Sequence, residues 1–329
     1  MRRIILWLLA GLAMGALGAN DPAGSWMPIA PMPEPKELLG VAVGGDGRIY
    51  AMGGTSNDGP PVNARVYAYD PSSDTWTQVA SLAGGSRRNF ATATDLNGLI
   101  YAIGGYDFSG PPFALNRAER YDPSRDFWDP LPDMPTRRQE PAGAAGTDGR
   151  IYVMGGTDTS FQTIAVAEVF DPVTSMWTAV APMQTPRTGF GAAAGPDGRI
   201  YVFGGYTGDA YVNTAEVYDP QANTWTFIAP MQEIRFGVAG ATGPDGRIYA
   251  IGGYNGAGDL STVEAYDPAS GTWTYVASLS TAREGHGAAT GLDGTIYAVG
   301  GDVPDGSAEA FTLASLPGRN QAPPARSPR

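Results

Sequence analysis

Asp197-Gly198-Arg199-Ile200-Tyr201-Val202-Phe203-Gly204-Gly205 sets a turn dipeptide before a short apolar run and closes that run with two glycines. The phrase recurs through the chain. Gly-Gly stands at Gly53-Gly54, Gly104-Gly105, Gly155-Gly156, Gly204-Gly205, Gly252-Gly253 and Gly300-Gly301, with successive pairs 51, 51, 49, 48 and 48 residues apart. A repeat of that length belongs to arrays in which each unit buries a face against its neighbour.

Working outward from the glycines, a basic residue lies 17 positions before each pair: Lys36, Arg87, Arg138, Arg187, Arg235 and Arg283. Ten positions after that residue comes Asx-Gly, as Asp46-Gly47, Asn97-Gly98, Asp148-Gly149, Asp197-Gly198, Asp245-Gly246 and Asp293-Gly294. Both residues of this dipeptide tolerate positive φ, so it joins two strands, a and b, in a tight antiparallel hairpin. A third strand, c, ends at Tyr69-Asp70-Pro71, Tyr121-Asp122-Pro123, Phe170-Asp171-Pro172, Tyr218-Asp219-Pro220 and Tyr266-Asp267-Pro268, where Asp-Pro starts a turn. Seven positions after each aromatic stands a tryptophan (Trp76, Trp128, Trp177, Trp225, Trp273) that opens a fourth strand, d, rich in β-formers. The unit is four short antiparallel strands, and the chain is all-β.

These residues resemble the Kelch repeat: a double glycine after a hydrophobic strand, a Glu-x-Tyr-Asp-Pro strand, then a tryptophan. The resemblance covers roughly residues 25 to 313 and implies a six-bladed β-propeller of four-stranded antiparallel blades. Five tryptophans follow the six glycine pairs; the sixth, Trp26, precedes Lys36 by 10 residues, as Trp128 precedes Arg138. Trp26 therefore belongs to the outer strand of the last blade, and an N-terminal strand closes the ring. The innermost strands, such as Gly191-Ala192-Ala193-Ala194, carry small residues that suit crowding about an axis and place a ligand at the channel mouth rather than a bulky cofactor inside it.

The 329 residues divide into 1–19, a signal peptide with Arg2-Arg3 before an apolar stretch from Ile4 to Leu17; 20–318, the propeller; and 319–329, a Pro-rich disordered tail. The apolar stretch is short for a membrane anchor, so the expectation is export with no stable membrane span after cleavage. The chain has no cysteine and one histidine, and its net charge of −12 becomes −14 without Arg2 and Arg3. That charge opposes nucleic acid as a partner. With no cysteine, disulfide and thiol chemistry are excluded.

Length varies mainly between the second glycine and strand c, and in the family's propeller these b-to-c loops share a face with the d-to-a loops. Variable loops on a rigid frame are where binding resides. That face is expected to engage a protein or a carbohydrate. Phe108, Phe113 and Phe161 either contact a partner or pin their own loops; Tyr106, Tyr206 and Tyr254, each following a glycine pair, offer a stacking platform or pack the rim. Arg88 and Arg137 fall outside the basic register and are candidates for an anionic ligand. Strand c carries Glu119, Glu168, Glu216, Glu264 and Glu309 two positions before its aromatic, whereas blade one has Tyr67 there and Lys36 in place of arginine. This joint departure favours a structural pairing of Arg138, Arg187, Arg235 and Arg283 with their glutamates over a ligand role.

His286, the single histidine, falls at a position that often holds histidine in the family and reads as structural. One histidine and no cysteine cannot supply a copper radical site of the galactose oxidase kind, the iron site of nitrile-specifier proteins or a Ser-His-Asp set. The sialidase motif Ser-x-Asp-x-Gly-x-x-Trp has no match, since Ser73-Asp74-Thr75-Trp76 lacks the glycine and the spacing. No metal and no cofactor are expected. Exported six-bladed Kelch proteins include sialic acid mutarotases, which need only a carboxylate and arginines at the mouth. On that alternative, the acid/base groups implied are Glu140 and Glu284.

Overall fold

Each Asp-Gly dipeptide reverses the chain within four residues, and its side chain holds the reversal. In blade four, Gly198 takes φ of 80°, Arg199 N donates to Asp197 Oδ1 at 3.2 Å, and the Tyr201 hydroxyl donates to Asp197 Oδ2 at 2.7 Å. The hairpin places Gly191–Ala194 beside Ile200–Phe203, and Ala215–Asp219 and Thr224–Ile228 complete the sheet. The register stacks Ile200 against Tyr218 and Tyr218 against Trp225. The computed structural model describes residues 24–56, 63–108 and 113–314, and within them six such four-stranded antiparallel sheets form a ring. The expected signal peptide and tail lie outside the described residues, as do Asn57 to Pro61 of the first long loop and Ser109 to Pro112 of the second. Among the described residues no helix is long and apolar enough to cross a membrane.

Burial is deepest at strand b of each blade and falls toward the outer rim. All four residues of strand b in blade four are buried, whereas strand d alternates with solvent. The core consists of wedges between blades: Tyr152, Met154 and Val169 of blade three pack on Ile200, Val202, Tyr218 and Trp225 of blade four. The innermost strands approach so closely that a Cβ on Gly240 would lie 2.5 Å from Ala192 O of the preceding blade, which explains the small residues there. They enclose a channel cavity of about 420 Å³. Inside it, the Thr92, Thr94, Thr242 and Thr290 hydroxyls donate to carbonyls of Val41, Val43, Ala194 and Thr242 on the preceding blade.

The tryptophans staple the outer rim. The indole N–H groups of Trp76, Trp128, Trp177, Trp225 and Trp273 donate to carbonyls of Ala30, Ala80, Pro132, Ala181 and Ala229 of the preceding blade, at 2.7 to 2.9 Å. Trp26 makes the same bond to Ala277 at 2.9 Å. Its strand, Gly24–Ile29, pairs antiparallel with Ala308–Leu313, so the N-terminal strand is the outer strand of blade six and Trp26 stacks at 5.2 Å on Phe311. The two ends of the chain thereby share one sheet, and the ring closes without an open seam.

Trp26→Ala is expected to cost about 3–5 kcal/mol, the range for truncating a buried aromatic, measured by urea unfolding. A variant as stable as wild type would overturn the closure.

Candidate functional site

The buried basic residue at the head of each blade organises the loop face. In blade four, Arg187 Nη1 donates to Gly204 O at 2.8 Å and Thr214 O at 3.1 Å, and Nη2 meets Glu216 Oε1 at 2.8 Å. Glu216 also accepts Gln184 N and Thr185 N, so both oxygens of a carboxylate without solvent exposure are hydrogen-bonded. Arg138 meets Glu168 at 2.5 Å, Arg235 meets Glu264 at 3.0 Å and Arg283 meets Glu309 at 2.9 Å, each also bonding a carbonyl of its own glycine pair. Arg87 pairs with Glu119 at 2.5 Å and bonds Ala102 O, two residues before its glycine pair. Burial lowers the pKa of Arg87 to about 10 and that of Arg138, Arg187 and Arg283 in the same direction, with the paired carboxylates opposing. In blade one, Lys36 Nζ bonds Gly53 O, Arg65 O and Asn63 Oδ1, lies 5.0 Å over the Tyr67 ring, and is lowered by burial to about 8.

Each of these residues is followed by one that is partly buried, or buried in the case of Thr188, and then by a residue with left-handed backbone. The left-handed set is Leu38, Asn89, Glu140, Gly189, Gly237 and Gly285, with φ between 51° and 60°. Leu38 N donates to Gly285 O, Asn89 N to Leu38 O, Glu140 N to Asn89 O, Gly237 N to Gly189 O and Gly285 N to Gly237 O, forming a collar around the channel mouth. The collar frames a cavity of about 160 Å³ floored by Leu39, Phe90, Phe190 and Val238, with Glu140 and Glu284 in its wall. These two carboxylates come from blades three and six, which face each other in a ring of six.

Their surroundings differ. Glu140 accepts Asn89 Nδ2 at 2.8 Å and Thr188 Oγ1 at 2.9 Å, and burial raises its pKa while the Thr188 bond and the Arg88 charge oppose the rise. No donor among the described residues reaches the Glu284 carboxylate, which burial first, then Asp259, Asp302, Glu37 and Glu140, push up to about 7. His286 lines the same cavity, is 6% exposed, and has no hydrogen-bond partner on either ring nitrogen. Burial, aided by Arg283, lowers it to about 3, so it is neutral.

Two aromatic groups flank the mouth. The Arg88 guanidinium lies 5.2 Å from the Tyr106 ring centre and 4.8 Å from that of Phe108, while Phe113 stacks on Tyr106 at 5.6 Å. Phe108 is 52% exposed, which leaves it available beyond its own loop. On blades four and five, Tyr211 packs against Tyr206, Phe236 and Tyr254. The expected rim residues therefore fall into two clusters. Tyr106, Phe108, Phe113 and Arg88 form one, and Tyr206 and Tyr254 belong to the other. Arg137 is exposed beside the buried Arg138, and Phe161 is 62% exposed. Sequence reasoning passed over Glu37, Asn89 and Phe236, although their fixed offsets of one and two positions after the basic residue marked them. It also passed over Tyr211 and Asp259, which sit in loops with no common register, and Asp302, which follows its glycine pair as Tyr106, Tyr206 and Tyr254 do.

The family model described as the Kelch motif matches residues 40–83, 87–135, 141–184, 186–232 and 239–280. Among curated proteins, the chain is similar to Kelch repeat and BTB domain-containing protein 12 of Danio rerio, 32% identical over 148 residues, which are 40% of this chain and 23% of that protein. It is likewise similar to Kelch-like protein 35 of Mus musculus, 32% identical over 139 residues, 42% of this chain and 22% of that one. The match thus spans less than a quarter of either relative. The solved structure of YjhT superimposes with a TM-score of 0.69 at 16% identity, covering 85% of this chain and 95% of that one, and shares the fold.

Glu216→Ala, which strands the buried Arg187 charge, is expected to cost about 3–5 kcal/mol, whereas Arg88→Ala is expected to cost less than about 2 kcal/mol, the scale of a partly desolvated cation–π contact. Thermal or urea unfolding of the two variants checks the difference; equal losses would place Arg88 in the supporting frame.

Proposed function

This chain belongs to the Kelch-repeat family, and from that premise we propose that it is an exported binding module whose b-to-c and d-to-a loop face engages a partner protein. The observation that carries the reading is the Arg88 guanidinium held between Tyr106 and the exposed Phe108 at the edge of the mouth. Arginine and tyrosine are the residue types on which binding energy concentrates in protein interfaces, and here they stand on a frame whose own charges are paired beneath them. Kelch propellers generally mediate protein binding, which agrees with this use of the face. Export rests on Arg2-Arg3 and the apolar stretch that follows.

A benzophenone amino acid placed at position 108 is expected to cross-link a defined partner in the producing cells, while the same group at position 173, in a c-to-d turn on the opposite face, captures none. Arg88→Ala should abolish the cross-link. The cross-linked chain should begin near Asn20 by N-terminal sequencing. Equal capture from positions 108 and 173 would sink the loop-face reading, and an intact Met1 would sink export.

A second reading is favoured by one observation: Glu284, pushed up to about 7, faces Glu140 across a small cavity. A carboxyl near neutrality both gives and takes a proton. On this reading the chain is a cofactor-free carbohydrate-active enzyme of the mutarotase kind, with Glu284 and Glu140 as acid and base. It should then accelerate anomer exchange of an acidic sugar followed by NMR, with a loss of at least about 100-fold in Glu284→Gln. An unaccelerated rate with wild type removes this reading.

A further inference from the structure

Resting on the reading of the loop face as a protein-binding surface, we propose that the channel mouth is a socket for a lysine or arginine side chain presented by the partner. Three features of the mouth agree on such an occupant. First, four carboxylates (Glu37, Glu140, Asp259 and Asp302) act on Glu284 at the mouth, the five together coming from four blades, and Glu284 is half-buried with no donor among the described residues. Arg88, the cation beside them, is already covered by two aromatic faces. Second, the imidazole of His286, more than nine-tenths buried in the wall of the same cavity, leaves both ring nitrogens without partners, a polar group that the protein itself does not satisfy. Third, the floor is apolar, made by Leu39, Phe90, Phe190 and Val238, with Phe236 at its side.

A long cationic side chain fits this order of surfaces. Its methylene stem covers the apolar floor while its charged head meets carboxylate, and a phenyl face beside the head adds a cation–π contact. An anionic residue would meet five like charges. An uncharged one would leave the Glu284 carboxylate desolvated and uncompensated, which disfavours binding by the cost of an unpaired buried charge. The aromatic clusters on either side of the mouth are placed to contact the residues that flank the inserted side chain in the partner's chain.

Because His286 is the sole histidine, the full chain labelled with 13C-histidine carries one NMR reporter, and it lies in the socket. The probes are two short peptides, identical except that one carries lysine where the other carries norleucine. The lysine peptide is expected to shift the His286 resonance saturably, with norleucine at least about tenfold weaker. Glu284→Gln should bring lysine down to the norleucine level. Lysine binding should tighten between about pH 6 and about pH 8 as Glu284 ionises, because a cation binds the charged carboxylate; Asp302 lies near it on its own blade, Asp259 and Glu37 on the two adjacent blades and Glu140 on the opposite one, with Arg88 beside Glu140 and Arg283 behind His286. The pH series uses wild type alone and keeps the test valid if the variant fails to fold. Equal response to both peptides, or lysine binding that Glu284→Gln leaves unchanged, overturns the socket. If the position-108 cross-link persists in that case, the binding-module reading stands without the socket; if it is lost as well, both fall.

Discussion

The ring depends on one repeated arrangement, the buried basic residue at the head of each blade. Its side chain reaches inward and binds carbonyls of its own sheet, as Arg187 does to Gly204 O and Thr214 O. Its backbone carbonyl receives an N–H from the preceding blade, as Arg187 O does from Gly156 N; the same bond recurs from Gly54, Gly105, Gly205, Gly253 and Gly301. One residue thus ties strand c to strand b within a blade and joins that blade to its neighbour. Both glycines are needed for the junction. Gly205 takes φ of 93°, and a Cβ on Gly204 would lie 2.5 Å from Arg235 O. Basic residue and glycine pair therefore keep a constant offset because they meet in space.

Desolvating six cations has an energetic consequence for the rest of the face. Each guanidinium with a strand-c glutamate is neutralised locally, and the glutamate accepts further donors from the incoming loop, as Glu264 accepts Gln232 N at Oε2 and Glu233 N at Oε1. The charges are paired, while the Nε atoms of Arg87, Arg138, Arg187 and Arg283 are buried without a partner. Blade one solves the same problem differently: Lys36 uses three neutral oxygens, and Tyr67, in the position of the missing glutamate, donates to Glu34. With its own charges settled underneath, the collar above can hold carboxylates that are not settled, and Glu284 is the clearest of them.

Position relative to this frame separates supporting residues from available ones. Phe90, Phe190 and His286 occupy the same place in alternate blades, packing on the glycine pair of the blade before, yet only the imidazole brings polar atoms that nothing satisfies. Likewise Glu140 and Glu284 stand one residue apart in register. The first is gripped by Asn89 and Thr188, and the second is flanked by like charges. The difference lies in the neighbours supplied by other blades.

The sequence by itself determined the strand count, the hairpin register, the six-blade closure through Trp26 and the pairing of strand-c glutamates with the basic residues. Each is set by a local turn, a fixed offset or an exchange of partners within one repeat, and local chemistry is written in neighbouring letters. Only the tertiary structure decided that Glu140 and Glu284 face each other, that Tyr211 joins Tyr206, Phe236 and Tyr254, and that Asp259 and Asp302 reach Glu284. Those groups lie in different blades, many of them in loops of unequal length, and meet because ring closure converts distance along the chain into adjacency around an axis. Electrostatics at the mouth follows from that closure, since a carboxylate's pKa responds to burial and to charges within a few ångströms, wherever in the chain they originate.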